Sequence, residues 1–140
     1  MALEARFFGS YEHSLDAKGR LILPAKLRGA FAPSGYLSPH LEGCLGLWPT
    51  ETFEKEIALR LDQASGDVAE RNEVREWAAA VHEAEIDRQG RMVVPAHLRA
   101  YAGLDQEVLV VGMIDRVELW SPSAWAAKVR STPSTATPAR

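Results

Sequence analysis

Apolar and polar residues alternate in short runs along the first third of the chain, a pattern typical of β-strands separated by tight turns. Residues 6–15 are rich in aromatic and β-compatible side chains and predict a first strand. The apolar run at residues 20–23 predicts a second, short strand. A short helix is expected at residues 25–31, directly after a proline that can occupy the first helical position. Residues 36–37 and 45–48 predict a further strand pair.

Between residues 50 and 82 the apolar spacing changes to that of helices. Phe53, Ile57 and Leu61 recur every four positions and form one apolar stripe. A Ser-Gly pair then interrupts the stripe, and Asp67 can cap a second amphipathic helix. The charged outer faces predict an antiparallel helical pair packed on something apolar. That surface is either the module that precedes the helices or another subunit.

A phrase of thirteen residues occurs twice in the chain. Residues 16–28 read DAKGRLILPAKLR, and residues 87–99 read DRQGRMVVPAHLR. Seven positions are identical, and the three residues between arginine and proline are apolar in both copies. A Leu-Trp pair also recurs, at residues 47–48 and 119–120, which makes chance similarity a poor explanation. An internal repeat determines the architecture, so we expect two structurally equivalent modules.

The repeat divides the chain into four segments. These are a first module at residues 7–53, a helical acidic connector at 54–82, a second module at 83–130 and a disordered tail at 131–140. The tail contains only Ser, Thr, Pro, Ala and Arg, which cannot form a core. Modules of this size bury too little surface alone, so we expect them to pack together as one pseudo-symmetric α+β body.

The distribution of charge changes the interpretation of the formal net charge of −3. Residues 51–85 hold ten acidic and four basic side chains, a balance of −6. Residues 1–50 carry +1 and residues 86–140 carry +2. The acidity is therefore concentrated between the two repeats, whereas the repeated phrases are locally basic. The overall charge weakens the case for a nucleic-acid partner but does not exclude one.

Several classes of protein are disfavoured by the sequence. It has no run of 18 apolar residues and no signal-peptide pattern at its N-terminus, so we expect a cytoplasmic protein without membrane contact. Cys44 is alone and is expected in the core. The four histidines show no paired ligand spacing, and no nucleophile motif or Gly-rich phosphate loop is present. We therefore expect no metal, no cofactor and no catalytic residue.

Each copy of the phrase begins with Asp-x-x-Gly, the pattern of a type I turn. Aspartate can accept hydrogen bonds from the turn amides, and glycine can adopt a positive φ. The expected turn-forming residues are Asp16, Gly19, Asp87 and Gly90. The next residue, Arg20 or Arg91, then projects from a rigid corner at the start of a strand.

Further cations follow in both copies. Arginine suits phosphates and guanine edges because its planar fork donates two hydrogen bonds at once. The candidate DNA contacts are Lys18, Arg20, Lys26, Arg28, Arg88, Arg91 and Arg99. In the alternative interpretation Asp16 and Arg20 form an ion pair that only holds the turn, and Arg28 is a solvated helix residue. The second copy favours a functional role, because turn stability needs the aspartate and the glycine but not two matching arginines.

The pattern Asp-x-x-Gly-Arg, three apolar residues, then Pro-x-x-Leu-Arg resembles the swapped-hairpin AbrB/MazE/SpoVT DNA-binding module. Two copies behind a Phe-x-Gly strand resemble the MraZ family over roughly residues 7–130. The resemblance implies a double-split β-barrel with flanking amphipathic helices, assembled into ring-like homo-oligomers. It also implies a sequence-specific transcriptional regulator, associated with the nucleoid. Its implied target is double-stranded DNA, at short direct promoter repeats of its own division and cell wall gene cluster.

By the same resemblance, the two Asp-x-x-x-Arg motifs bind DNA. Arg20 and Arg91 are then the leading contacts to bases or phosphates, and the other cations position the DNA backbone. Lys18 and Lys26 of the first copy correspond to Gln89 and His97 in the second. The two halves therefore need not contact DNA equally.

Two further expectations concern partners. An antitoxin-like or scaffold module, working through the acidic segment at 51–85 and the tail, is the alternative function. Assembly into a homo-oligomer larger than a dimer is expected because one small core does not easily hide so many aromatic side chains. The candidate contacts between subunits are Phe7, Phe8, Phe53, Trp77, Trp120 and Trp125.

Overall fold

The computed structural model describes residues 6–31 and 34–130, which form eight strands and five α-helices. The strands are β1 (Ser10–Ser14), β2 (Arg20–Ile22), β3 (Ser34–Pro39), β4 (Leu45–Trp48), β5 (His82–Glu85), β6 (Arg91–Val93), β7 (Glu107–Gly112) and β8 (Val117–Trp120). The helices are α1 (Ala25–Arg28), α2 (Thr50–Gln63), α3 (Val68–Ala80), α4 (Ala96–Ala102) and α5 (Pro122–Trp125). A 3-10 turn, Gly29–Phe31, follows α1, and a π-helical turn, Ala126–Arg130, follows α5.

Six strands form one antiparallel sheet in the order β1-β7-β8-β4-β3-β5. Strand β1 of the first module pairs with β7 of the second, with Ser10 opposite Val111. Strand β5 of the second module pairs with β3 of the first, with Leu37 opposite His82. The hairpins β3–β4 and β7–β8 meet in the centre through β4 and β8. Each module therefore completes the sheet of the other with its first strand.

The strand order reads the same from either end when equivalent strands of the two modules are exchanged, so a pseudo-two-fold axis passes between β4 and β8. The remaining strands, β2 and β6, pair with each other as a separate ribbon in which Leu21 lies opposite its equivalent, Met92. The predicted α+β fold with two tandem pseudo-symmetric modules is confirmed. The main sheet is open rather than closed into a barrel: β1 and β5 lie at its two edges, and each is followed by a strand of the ribbon.

One apolar cluster joins the ribbon to the main sheet. Leu21 and Met92 of the ribbon are at most 2% exposed and pack in the same cluster as Leu37 and Leu119 of the sheet. Burial of each such side chain contributes about 1.5–3 kcal/mol to stability. Since neighbouring residues of a strand point to opposite faces, this packing determines which ribbon residues face solvent.

The helices α2 and α3 cover one side of the first module. Phe53 of α2 stacks on Tyr36 at 4.7 Å and packs with Trp48 and with Trp77 of α3. The first interpretation of the amphipathic pair, that it covers the module it follows, is therefore confirmed. Leu61 does not extend the buried stripe and is exposed.

Other sequence expectations need correction. The predicted helix at 25–31 is an α-helical turn followed by a 3-10 turn, and the first strand is shorter than predicted. The chain's own core already buries Phe7, Phe53, Trp77 and Trp120, so their proposed role between subunits is wrong. Trp125 is half-buried against Trp120, and Phe8 is exposed. The predicted tail at 131–140 lies outside the described residues.

Candidate nucleic-acid interface

The two Asp-x-x-Gly segments fold into matching tight turns. The Gly19 amide donates to the Asp16 carbonyl at 3.0 Å, and the Gly90 amide donates to the Asp87 carbonyl at 2.9 Å. Gly19 and Gly90 have φ values of +76° and +83°. Glycine adopts this left-handed conformation without the steric cost that a side chain would bring.

The aspartate of each turn fixes the arginine that follows it. One carboxylate oxygen of Asp16 accepts from the Arg20 amide at 2.9 Å, and the other accepts from Arg20 Nε at 2.7 Å. Asp87 holds Arg91 at the same two distances. These bonds, chiefly those from the arginine amides, lower the pKa of both carboxyls from the ordinary value of 3.8. Both aspartates are therefore ionised at neutral pH.

The two guanidinium groups retain most of their donors. The ion pair uses Nε, one of five N–H donors on each arginine, and the described residues offer no hydrogen bond to the Nη groups. The side chains of Arg20 and Arg91 are 36% and 42% exposed. Each arginine is thus oriented by its turn and can still bind a ligand from solvent.

The outer face of the ribbon combines these arginines with two aliphatic side chains. Arg20 lies opposite Val93, and Ile22 lies opposite Arg91. Because Leu21 and Met92 point into the core, the four remaining ribbon residues share the outer face. Ile22 and Val93 are 46% and 47% exposed. The arginines occupy one diagonal of this face and the aliphatic residues occupy the other.

Three further predicted contacts are exposed, and two of them lie within the turns. Lys18 is the third residue of the first turn, and Arg88 is the second residue of the second turn. Lys26 is exposed on α1, and its equivalent, His97, contacts the Ala80 carbonyl through Nε2 at 3.0 Å. Each turn thus has one extra cation, at a different position in each module.

Arg28 and Arg99 lie in a different environment from the other candidates. Arg28 packs against Gly90 of the opposite module, and its Nε donates to the Leu23 carbonyl at 2.9 Å. Arg99 packs against Gly19 in the equivalent way, with its Nε buried. The structure therefore brings both side chains to the turns, but each lies against the turn of the other module.

The comparisons with known proteins agree with this arrangement of repeats. A sequence model described as "MraZ protein, putative antitoxin-like" matches residues 7–75 and 78–140. The chain is 42% identical over 123 residues to a protein of Thermomicrobium roseum, which covers 87% of this chain and 86% of that protein. It is 41% identical over 119 residues to a protein of Lactiplantibacillus plantarum, which covers 85% and 84%. Both relatives are named transcriptional regulator MraZ. The chain belongs to the MraZ family.

The two matches to the family each contain one Asp-x-x-x-Arg turn.

Acidic side chains lie beside the arginines of both turns. Arg20 and Arg91 line an open groove together with Glu83 and Glu85 of β5. Val93 of the outer face lines the same groove, so these carboxylates disfavour phosphates on the side of the ribbon that adjoins β5.

One polar cluster was not foreseen from the sequence. The ligand atoms of His40, Cys44 and Glu118 lie within 4.8 Å of one another. Arg116 already neutralises Glu118 at 2.9 Å and approaches His40 Nε2 at 3.5 Å. Burial, together with the Glu118 charge, raises the pKa of Cys44 to about 12, so the thiol stays protonated. Histidine, cysteine and carboxylate side chains are ligand types that zinc accepts. Here the Arg116 guanidinium already balances the negative charge of Glu118. The spacing of the sequence did not predict Glu118 as a member of this cluster, because it belongs to the second module and His40 and Cys44 belong to the first.

None of the described helices has the length and apolar character needed to cross a membrane.

Proposed function

We propose that this chain is a DNA-binding transcriptional regulator whose β2–β6 ribbon enters the major groove of double-stranded DNA. The observation that carries the proposal is the symmetric outer face of the ribbon, with two oriented arginines and two exposed aliphatic residues. A two-stranded ribbon fits the major groove, which is about 12 Å wide. The names of the relatives, transcriptional regulator MraZ, support the same function.

In this proposal each ribbon residue has a defined role. Arg20 and Arg91 donate through their Nη groups to guanine edges or to phosphates. Ile22 and Val93 contact thymine methyl groups, which only the major groove presents. Lys18, Arg88 and Lys26 bind phosphates and thereby set the register of the protein on DNA. The same role was expected of Arg28 and Arg99.

The proposed target follows from the family resemblance. We place the protein on the nucleoid in the cytoplasm, at short direct repeats in the promoter of its own division and cell wall gene cluster. A single ribbon offers few cationic contacts, and each phosphate contact adds little affinity at physiological salt. Several ribbons in one assembly would raise the effective concentration of the second and third contact. A ring-like homo-oligomer matches an array of repeats in this way.

An exposed apolar patch supports the proposed assembly. Phe8 is 59% exposed, and its backbone lies against Gly112 beside the exposed Met113 and Ile114. The backbone of Phe7 pairs with that of Ile114, which holds this patch together. Light scattering at micromolar concentration tests assembly. A monomeric mass together with tight operator binding would contradict the avidity argument.

The central experiment replaces both ribbon arginines. In Arg20→Ala/Arg91→Ala we expect affinity for a promoter fragment to fall roughly 30-fold or more, at about 1–3 kcal/mol per arginine. The matched control is Arg71→Ala/Arg75→Ala, which removes two exposed arginines from α3 and is expected to change affinity by less than about twofold. Unchanged affinity of the ribbon variant at matched salt would rule out the interface. Retained affinity without sequence discrimination would assign the arginines to phosphates.

A second candidate is an antitoxin-like protein-binding module, which the description of the family favours. Its working surface would be the acidic pair α2–α3, which also exposes Leu59, Leu61 and Val68. Purification of a stoichiometric second protein, without a DNA shift at low salt, would support this candidate over the first.

A further inference from the structure

Arg28 and Arg99 stand apart from the other candidate DNA contacts because each is partly buried and packs against a glycine in the turn of the opposite module. A Cβ atom added to Gly90 would lie 2.5 Å from Arg28 Cζ, closer than real side chains approach. A Cβ atom added to Gly19 would lie 3.0 Å from Arg99 Cζ. Each arginine therefore lies directly on the glycine that precedes Arg91 or Arg20. The absence of a glycine side chain makes this approach possible.

Backbone hydrogen bonds extend each contact into the ribbon. The Leu23 amide donates to the Gly90 carbonyl at 2.8 Å, and the Leu23 carbonyl accepts from Arg28 Nε at 2.9 Å. One peptide segment is thus fixed between α1 and the opposite turn. In the other half the Val94 amide donates to the Gly19 carbonyl at 2.9 Å. Both turns are therefore held from the module to which they do not belong.

The two halves differ in how the arginine is satisfied. Arg28 Nε has its carbonyl partner, whereas Arg99 Nε is buried without a hydrogen-bond partner among the described residues. A buried donor without a partner carries a desolvation penalty. Arg99 is nevertheless held in place by its packing on Gly19. Its position favours a role in shaping the turn, because its buried Nε faces protein rather than solvent.

We propose that Arg28 and Arg99 are crosswise positioning residues: Arg28 orients the turn that carries Arg91, and Arg99 orients the turn that carries Arg20. This inference rests on the proposed function, because it assigns these arginines to aiming the DNA contacts of the opposite module. It replaces their expected role as direct contacts to the DNA backbone.

A lysine substitution separates positioning from direct contact, because it keeps the charge and loses the planar fork. We expect Arg28→Lys to weaken promoter binding about tenfold in the wild-type and Arg20→Ala backgrounds. In the Arg91→Ala background we expect a change of less than about twofold, since contacting groups couple and distant ones add. Arg99→Lys is expected to show the opposite dependence. The matched control, Lys26→Ala, should have the same effect in all three backgrounds.

Salt dependence provides a second readout. If Arg28 bound a phosphate directly, Arg28→Met would reduce the slope of log affinity against log salt by about 0.9. We expect no change in slope for Arg28→Met, although affinity falls. Full binding by Arg28→Lys, equal losses in every background, or a reduced slope would each overturn the positioning role.

Hydrogen exchange without DNA distinguishes failure of this inference from failure of the proposed function. Arg28→Lys should speed amide exchange at residues 87–91 and leave residues 16–20 unchanged, and Arg99→Lys should do the reverse. Equal acceleration in both turns would mean general destabilisation and would overturn the inference. If the wild-type protein bound no DNA, the proposed function would fall, and the exchange pattern alone would decide whether the crosswise bracing exists.

Discussion

The two modules match closely at their turns and strands and differ in their helices. The Nε–carboxylate distance is 2.7 Å in both turns. By contrast, α1 has four residues and continues as a 3-10 turn, whereas α4 has seven and ends at Gly103 in a left-handed conformation. The first module is followed by two long helices, and the second by one short helix and a π-helical turn. The geometry of the turns is thus retained, whereas the helices that follow them are not.

The central hairpins show a second difference. Gly46 of β4 and Glu118 of β8 hold equivalent positions, two residues before Trp48 and Trp120. The Trp48 indole donates to Ser38 Oγ at 3.0 Å, and the Trp120 indole donates to Glu118 at 3.0 Å. The hydrogen-bond acceptor of the indole N–H is therefore a neutral hydroxyl in one module and a buried carboxylate in the other. Only the second module then requires a compensating cation.

The largest expected effect tests this charged arrangement. Arg116 is the partner of the buried Glu118, so Arg116→Met should lower the free energy of unfolding by about 3–5 kcal/mol, as for other broken buried pairs. Urea denaturation provides the measurement. Glu118→Gln added to the same variant should recover part of the loss, because it removes the unpaired charge. A loss below about 1 kcal/mol would place the pair among weakly contributing surface ion pairs.

The next effect compares the two turn glycines. Gly19→Ala should cost about 1–2 kcal/mol of unfolding free energy, because a side chain is forced into positive φ. Gly90→Ala should cost slightly more, since its methyl group must also displace the end of the flexible Arg28 side chain. Thermal or urea unfolding of both variants decides the order. Adding Arg28→Ala should recover more stability in Gly90→Ala than in Gly19→Ala, and equal recovery would contradict the tighter contact.

The sequence predicted the parts of this structure that depend on local patterns. The repeated Asp-x-x-Gly spacing indicated both turns, and the stripe of Phe53 and Ile57 indicated a packed helix. Ile22 and Val93 were not predicted as exposed partners of the arginines, because three-residue strands with continuous apolar character do not show which face is buried.

Contacts between modules were not predictable in the same way. The packing of Arg28 on Gly90 and the pairing of β1 with β7 depend on how the halves interleave. The strong apolar content suggested aromatic residues between subunits. Instead, Phe53 of α2 and Trp77 of α3 are buried with Trp48 within the chain. The cluster of His40, Cys44 and Glu118 likewise forms only when the two central hairpins meet.

The smallest expected effect tests whether the two turns are equivalent. Asp16 and Asp87 have lowered pKa values in the folded protein, so their contribution to stability is present above the ordinary value of 3.8. It is lost as the pH falls through the lower folded value. Wild-type stability should therefore decline in this acidic range more steeply than that of Asp16→Asn/Asp87→Asn.

Because the hydrogen bonds of the two carboxylates match, each single variant should remove an equal share of the acid sensitivity. Urea unfolding between about pH 2 and pH 6 measures both shares. Unequal shares would show that Lys18 or Arg88 changes the electrostatics of its turn despite the identical hydrogen bonding.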